Sequence, residues 1–215
     1  MGEVIRLAER RKARRSRAVA PGPAKAEFFF DLACPFTYLA AERVLRAFDD
    51  VVWTPASTTA LRCGSIASDR EALDAVRRAA EERAAALRLP LVWPERWPYD
   101  VPAAMRVAHH AAEAGRGAAF VLAATRLAFA GGFDLDDPEL LTEAAAAAGL
   151  GLEACLRAAK DVRRDGAVEA AGRRLLAAGV DQLPALRVGR GLSWGEAQVA
   201  QAAAAARIRA AAALP

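Results

Sequence analysis

Residues 28–37 read Phe-Phe-Phe-Asp-Leu-Ala-Cys-Pro-Phe-Thr, and this stretch decides the fold prediction. Its aromatic and apolar start is typical of a strand buried on both faces. The Cys-Pro pair indicates a helix start, because proline suits the first helical turn. Cys34 would then lie at a helix N-terminus, where unpaired N–H groups and the helix dipole favour a thiolate. The sequence therefore predicts a nucleophilic sulfur at Cys34.

Thr37 completes a C-x-x-T motif and lies where a dithiol oxidoreductase would carry its second cysteine. Its hydroxyl could donate a hydrogen bond to the Cys34 thiolate. A mixed disulfide formed at Cys34 would have to be resolved by an external thiol. The motif therefore favours monothiol exchange, or transferase or isomerase chemistry; the alternative is that Cys34 is a small buried apolar side chain.

The rest of the chain predicts an α/β fold with three parts. A second strand is expected at 51–54, after a helix, which gives a β-α-β start. Helical periodicity and helix-capping residues dominate the middle of the chain. A short hairpin at 185–194 and a closing helix at 195–212 complete a β-β-α end.

Composition narrows the possible classes of protein. Apolar residues make up 54% of the 215 residues and aromatic residues only 7%, a mixture that favours packed helices. Residues 1–25 carry a net charge of +6 and the remainder −2, so a folded body that reads nucleic acid is not expected. The sequence contains no run of about 18 strongly apolar residues, so no membrane span is expected. Three cysteines and the lack of a signal-peptide pattern predict a cytoplasmic location.

Three segments together resemble the thioredoxin fold of the DsbA family, with its helical insertion. Residues 29–40 resemble the opening of 2-hydroxychromene-2-carboxylate isomerases and kappa-class glutathione transferases, which have Ser-Pro where this chain has Cys34-Pro35. Residues 179–184, Gly-Val-Asp-Gln-Leu-Pro, resemble the loop that bears the family's cis-proline. Residues 192–195, Leu-Ser-Trp-Gly, resemble the motif that follows the hairpin.

The resemblance implies a thioredoxin-like domain made of 26–62 and 179–215, with a basic tail at 1–25 and a helical insertion at 63–178. It also implies that Pro184 is a cis-proline facing Cys34, which would leave the backbone of Leu183 free to pair with an extended ligand. With Cys34 and Thr37 as the catalytic pair, the residues expected to contact the substrate are Pro35, Phe36, Asp100, Leu183, Pro184 and Trp194.

Two departures bear on the ligand. Ala197 and Gln198 stand where the isomerases and transferases have an Asp-Arg pair that helps to hold glutathione, and Asp100 stands where many relatives have Asn. A carboxylate at position 100 would repel an acidic ligand. No covalently bound cofactor is expected, and glutathione or another low-molecular-weight thiol is the candidate ligand.

The sequence leaves three functions open. The first is thiol-dependent oxidoreductase activity through Cys34 alone, and the second is glutathione-dependent isomerisation or conjugation. The third is a non-catalytic module that binds thiols or peptides. A small-molecule or thiol substrate is the expected partner, and a homodimer is compatible with the sequence.

Other reactive side chains receive simpler interpretations. Cys155 is expected in the core, and Cys63, in a loop, is the better candidate for a redox relay with Cys34. The adjacent histidines at 109 and 110 point in different directions on a helix, so no metal site is expected. Trp93, Trp97, Tyr99 and Trp194 either line an aromatic cleft or serve as packing.

Overall fold

The computed structural model describes residues 25–61 and 70–212, with side chains described as far as residue 209. Within these ranges the chain forms four β-strands and eight α-helices. The first unit consists of β1 (Ala26–Phe30), α1 (Pro35–Ala47) and β2 (Val51–Pro55). The next helices are α2 (Arg70–Leu87), α3 (Pro102–Glu113), α4 (Gly117–Phe129), α5 (Pro138–Ala147), α6 (Leu152–Lys160) and α7 (Asp165–Ala177). The last unit consists of β3 (Ala185–Val188), β4 (Gly191–Trp194) and α8 (Glu196–Ala212).

The strands form one mixed sheet in the order β2-β1-β3-β4. β1 pairs in parallel with β2, a pairing that requires a crossover, and α1 supplies it. β1 pairs antiparallel with β3, and Phe29 lies opposite Ala185. This register brings the end of β1, which leads to Cys34, beside the start of β3, which follows Pro184.

β1 is buried on both faces, as its aromatic sequence predicts. Phe28 and Phe30 lie on one face, where their ring centroids are 6.2 Å apart and both rings contact Trp53 of β2. Phe29 lies on the other face, in a cluster that includes Leu175 of α7. Burial of one such side chain contributes roughly 1.5–3 kcal/mol. β1 therefore gives a firm base to the loop that carries Cys34.

The helices between the two units cover both sides of the sheet. α3, α4, α5 and α6 share the larger core cluster with α1. α7 packs on the opposite face and approaches the turn after β2 closely: a Cβ at Gly172 would lie 2.7 Å from the Ala60 Cβ and 2.8 Å from the Ser57 carbonyl oxygen. Only glycine permits this approach. The predicted insertion boundary at 178 stays a prediction, although the packing of α7 favours grouping it with the sheet.

The predicted order of β-α-β, helical block and β-β-α is confirmed. The predicted closing helix at 195–212 is observed as Glu196–Ala212, the predicted strand at 51–54 as Val51–Pro55, and the predicted hairpin at 185–194 as β3 and β4. Among the described residues, no helix combines the length and the apolar character needed to cross a bilayer. The basic tail at 1–25 lies, apart from Lys25, outside the described residues.

Candidate active site around Cys34

Cys34 is the N-cap residue of α1, as predicted. Its backbone is extended, with φ −88° and ψ 116°, and Pro35 begins the helix. The Thr37 N–H donates to the Cys34 carbonyl oxygen at 3.0 Å, and the Cys34 N–H donates to the Asp31 carbonyl oxygen at 3.2 Å. These bonds fix a tight turn between strand and helix, and the thiol is left half-buried.

The thiol faces the loop that precedes β3. The Cys34 S–H donates to the Leu183 carbonyl oxygen, with Sγ and O 3.5 Å apart. The Leu183–Pro184 peptide bond is cis, the isomer that the resemblance implies. The Leu183 carbonyl therefore already accepts one hydrogen bond, from the thiol, and its second lone pair remains available to a ligand.

The prediction that Cys34 is ionised as a thiolate is wrong for the free protein. Burial raises the pKa of Cys34 to about 12, and the negative charge of Asp31 acts in the same direction. The N–H groups of Thr37 and Phe36 and the Thr37 hydroxyl lower the pKa, but by less. The helix N-terminus does what the sequence predicts, yet the loss of solvation outweighs it.

Thr37 is completely buried one turn into α1. Its Oγ1 has no hydrogen-bond partner of suitable geometry among the described residues. Because the hydroxyl also helps to lower the pKa of Cys34, it is available to donate to the sulfur once that sulfur ionises. The predicted pairing of Cys34 with Thr37 stays a prediction.

Asp31 is a member of the site that the sequence analysis did not single out. Its side chain accepts hydrogen bonds from the Ala33 N–H at 2.9 Å, the Thr58 N–H at 2.9 Å and the Thr58 hydroxyl at 2.7 Å. Burial raises the pKa of this carboxyl above its usual value, and Asp100 contributes in the same direction. The signal was present in the sequence, because a carboxylate directly after a doubly buried strand needs nearby donors.

A cavity of about 320 Å³ opens beside the thiol. The start of α1 forms one side with Pro35 and Phe36, and α2 contributes Leu73 and Val76. The polar groups at its wall belong to Asp31, Thr58, Thr59, Asp100 and Gln182. The cavity is thus mostly apolar with a few converging polar groups, as expected of a small-molecule site.

The aromatic residues divide between lining and packing. Trp97 and Tyr99 line the cavity, and the Trp97 indole N–H donates to the Ala33 carbonyl oxygen at 3.0 Å, which ties this segment to the Cys34 loop. Trp93 packs against Trp97, with ring centroids 4.4 Å apart, and is not part of the lining. Trp194 lies with the smaller core cluster and also lies outside the lining.

The predicted substrate contacts are therefore only partly brought together. Pro35, Phe36, Asp100 and Leu183 line the cavity with Cys34, whereas Pro184 and Trp194 do not. Gln182 and Thr58 also line the cavity. Gln182 precedes the predicted Leu183 in the sequence, and the Thr58 hydroxyl donates a hydrogen bond to Asp31.

Cys155 and the two histidines do not belong to the described lining of this cavity. Cys155 is fully buried and its S–H donates to the Leu141 carbonyl oxygen at 3.9 Å, which confirms its predicted core position. Cys63 lies outside the described residues, so its predicted relay role stays a prediction. Within 25–61 and 70–212, no group of three His, Cys, Asp or Glu side chains could hold a metal ion.

Asp31→Asn is expected to lower the pKa of Cys34, because the substitution removes a negative charge that disfavours the thiolate. Alkylation of Cys34 at pH 9 should become severalfold faster, measured by mass spectrometry of the peptide that contains it. Asp74→Asn is the control, since Asp74 is exposed on α2 and outside the lining. An unchanged or slower rate in a folded Asp31→Asn protein would contradict this coupling.

Comparison with solved structures shows the same architecture elsewhere. A 2-hydroxychromene-2-carboxylate isomerase superposes with a TM-score of 0.73 at 16% identity, over 88% of this chain and 100% of that one. A probable DsbA oxidoreductase from Streptomyces coelicolor superposes with a TM-score of 0.66 at 25% identity, over 89% of this chain and 92% of that one. A thioredoxin-like oxidoreductase from Silicibacter pomeroyi DSS-3 superposes with a TM-score of 0.52 at 19% identity, over 90% of this chain and 89% of that one. No curated protein matches the sequence.

The fold, the position of Cys34 and the loop before β3 thus agree with the family resemblance seen in the sequence. The profile of the DSBA-like thioredoxin domain matches residues 25–207, most of the chain. The chain therefore belongs to the DSBA-like thioredoxin domain family, with a thioredoxin-like fold and a large helical insertion.

Proposed function

We propose that this protein carries out thiol–disulfide exchange through Cys34 alone, on a small disulfide or thiol held in the cavity beside it. The observation that carries the proposal is the position of the thiol: half-buried at the cavity wall, at the start of α1, and 3.5 Å from the Leu183 carbonyl oxygen. The likeness to a probable DsbA oxidoreductase, at 25% identity, supports the same chemistry.

The reaction needs one protein sulfur and one thiol from solution. The Cys34 sulfur, after losing its proton, attacks one sulfur of a bound disulfide, and the disulfide bond breaks as the new bond forms. The leaving sulfur takes the electron pair and then a proton, which leaves Cys34 in a mixed disulfide. A low-molecular-weight thiol then attacks this mixed disulfide, regenerates Cys34 and is itself oxidised.

The raised pKa makes ligand binding part of the mechanism. In the free protein the Leu183 carbonyl accepts the S–H and stabilises the neutral thiol. A ligand donor that replaces the S–H at this carbonyl would remove that stabilisation, while the N–H groups of Thr37 and Phe36 remain to stabilise the thiolate. Cys34 would thus react faster with a disulfide bound in the cavity than with one in solution, because the bound sulfur is held beside the thiol.

Cys34→Ser is expected to abolish formation of the mixed disulfide with bis(2-hydroxyethyl) disulfide, read by intact-protein and peptide mass spectrometry. Cys63→Ser should keep it, because the second thiol comes from solution. The wild-type ratio of the exchange rate to the iodoacetamide rate should exceed the ratio for free cysteine, since only the disulfide is expected to occupy the cavity. An equal ratio, or loss of exchange in Cys63→Ser, would contradict single-cysteine exchange activated by the ligand.

A second candidate is the glutathione-dependent isomerase or transferase reaction. The observation in its favour is that burial keeps Cys34 protonated, so its S–H can donate a hydrogen bond as the serine of a Ser-Pro motif would. Calorimetry with glutathione on Cys34→Ser separates the two candidates, because serine preserves a donor but cannot exchange. Glutathione binding by this variant, with no exchange by the wild type, would favour the isomerase class. If the variant does not bind glutathione and the wild type does not exchange, the non-catalytic module is the function that remains.

A further inference from the structure

Two carboxylates stand where the Cys34 cavity meets a second one. The second cavity has a volume of about 540 Å³, and Asp31, Thr59 and Asp100 line both. A molecule that occupies the Cys34 cavity therefore lies against a wall to which both carboxylates belong. The junction forms part of the wall that any such ligand must touch.

The other acidic residues of the second cavity are paired with arginines, whereas within residues 25–61 and 70–212 these two have no arginine partner. Asp165 receives two hydrogen bonds from Arg106, both at 2.7 Å, and Glu169 pairs with Arg173 at 3.1 Å. Asp31 is only 8% exposed, yet its hydrogen-bond donors are the neutral groups of Ala33 and Thr58. Asp100 takes part in none of the ion pairs found within the described ranges.

The charge of Asp100 acts on Asp31, because it helps to raise the pKa of that carboxyl. A buried carboxylate without a cationic partner is costly, and a second negative charge nearby adds to that cost. A ligand cation beside them would offset this cost at Asp31 and would pair with Asp100, whose side chain is exposed. No such relief comes from the described part of the Cys34 cavity wall, which contains no Lys, Arg or His.

The aromatic wall does not alter this charge balance. The Arg77 guanidinium lies 5.3 Å from the Trp97 ring centroid, and that of Arg96 lies 5.5 Å from the Tyr99 ring centroid. Neither arginine lines the cavity. Arg96 is already paired with Asp134 and Asp136, and Arg77 donates to the Trp97 carbonyl oxygen at 3.3 Å.

We propose that the substrate of Cys34 is a disulfide or thiol that carries an amino or guanidinium cation, which binds between Asp31 and Asp100. The proposal rests on the exchange function proposed above and specifies its substrate class. Thiols that carry carboxylates, glutathione among them, are disfavoured at this junction by like-charge repulsion.

Three small disulfides of different charge test the proposal: cystamine, bis(2-hydroxyethyl) disulfide and dithiodipropionate. The rate of mixed-disulfide formation at Cys34 is divided by the rate of the same disulfide with free cysteine, which removes intrinsic reactivity. Cystamine should exceed the neutral disulfide roughly tenfold at low salt, and the dianion should fall below it by a similar factor. Asp100→Asn should reduce the preference for cystamine at least about threefold, whereas Asp74→Asn should leave it unchanged.

A binding measurement keeps the charge preference separate from the chemistry. Cys34→Ser, which cannot exchange, should bind cysteamine more tightly than 2-mercaptoethanol in calorimetry, and Asp100→Asn in that background should reduce the difference. Equal binding and equal normalised rates for all three charges would overturn the cationic substrate. A preference in binding without any exchange would support the cation site and overturn the exchange function. Exchange with a preference for the dianion would support the exchange function and overturn the cation site.

Discussion

Cys34 should react with iodoacetamide at pH 7 roughly fiftyfold more slowly than an ordinary exposed cysteine, and its rate should still be rising tenfold per pH unit at pH 11. The reason is the pKa of about 12, against an ordinary value of 9.0. Three units lower the thiolate population about a thousandfold, and the greater nucleophilicity of a more basic thiolate returns about twentyfold. The measurement is the alkylation rate of the Cys34 peptide by mass spectrometry from pH 6 to 11.

The same shift predicts how protein stability depends on pH. The unfolded chain releases the Cys34 proton near pH 9, whereas the folded protein retains it up to about pH 12. The stabilising contribution of the protonated thiol is therefore fully present below pH 9 and is lost as the pH rises from 9 to 12. Cys34→Ser should lack this part of the alkaline fall in the free energy of unfolding, as urea titrations at each pH would show.

A plateau in the alkylation rate near pH 9 would mean that the thiol is solvated like a free cysteine. A plateau in the alkylation rate below pH 7 would show that Cys34 is a thiolate at neutral pH, as the helix N-terminus alone predicts. Circular dichroism at each pH verifies that the folded protein is being measured. The Cys155 peptide provides an internal reference, because this buried thiol should remain unreactive for as long as the fold persists.

The position of Cys34 was predicted correctly from the local sequence, whereas its ionisation state was not. An aromatic run followed by Cys-Pro specifies strand, turn and helix start, because each depends on neighbouring residues, and the structure has these elements. The ionisation of the thiol depends instead on burial and on the charge of Asp31, which only the folded chain brings together around the sulfur. A local motif could therefore place the sulfur but could not set its charge.

The cavity wall shows the same limit. Phe36 and Leu183 were predictable because they flank Cys34 and Pro184 in the family pattern. Leu73 and Val76 were not, since only the packing of α2 brings them to the wall. Trp194 was expected at the substrate because it belongs to the family motif at the end of the hairpin, but it packs instead with the smaller core cluster. Distant contacts decide which aromatic residues face a ligand.

Glu196→Gln should lower the free energy of unfolding by about 2–3 kcal/mol, the largest effect we expect from a single substitution outside the hydrophobic core. Glu196 begins α8 and its side chain is only 5% exposed. It accepts two hydrogen bonds from Arg83 of α2, at 2.6 and 3.2 Å, and pairs with Arg43 of α1. The substitution leaves two partly buried guanidinium groups without their carboxylate.

The magnitude follows from exposure. Breaking a fully buried pair costs about 3–5 kcal/mol, but the Arg43 and Arg83 side chains remain 31% and 36% exposed, so solvent recovers part of the loss. Glu153→Gln is the matched control, because its pair with Arg157 is 88% and 73% exposed and should contribute less than about 0.5 kcal/mol. Urea unfolding of both variants at neutral pH gives the comparison.

The consequence for the active site follows from the position of Arg83. Glu196 and Arg83 connect α8 to α2, the helix that presents Leu73 and Val76 to the cavity. Loss of this connection should therefore weaken ligand binding as well as stability, even though Glu196 does not line the cavity. A Glu196→Gln protein as stable as the Glu153→Gln control would show that α2 is held by its apolar packing alone. Full stability with weakened binding would instead show that the ion pairs position α2 without stabilising the fold.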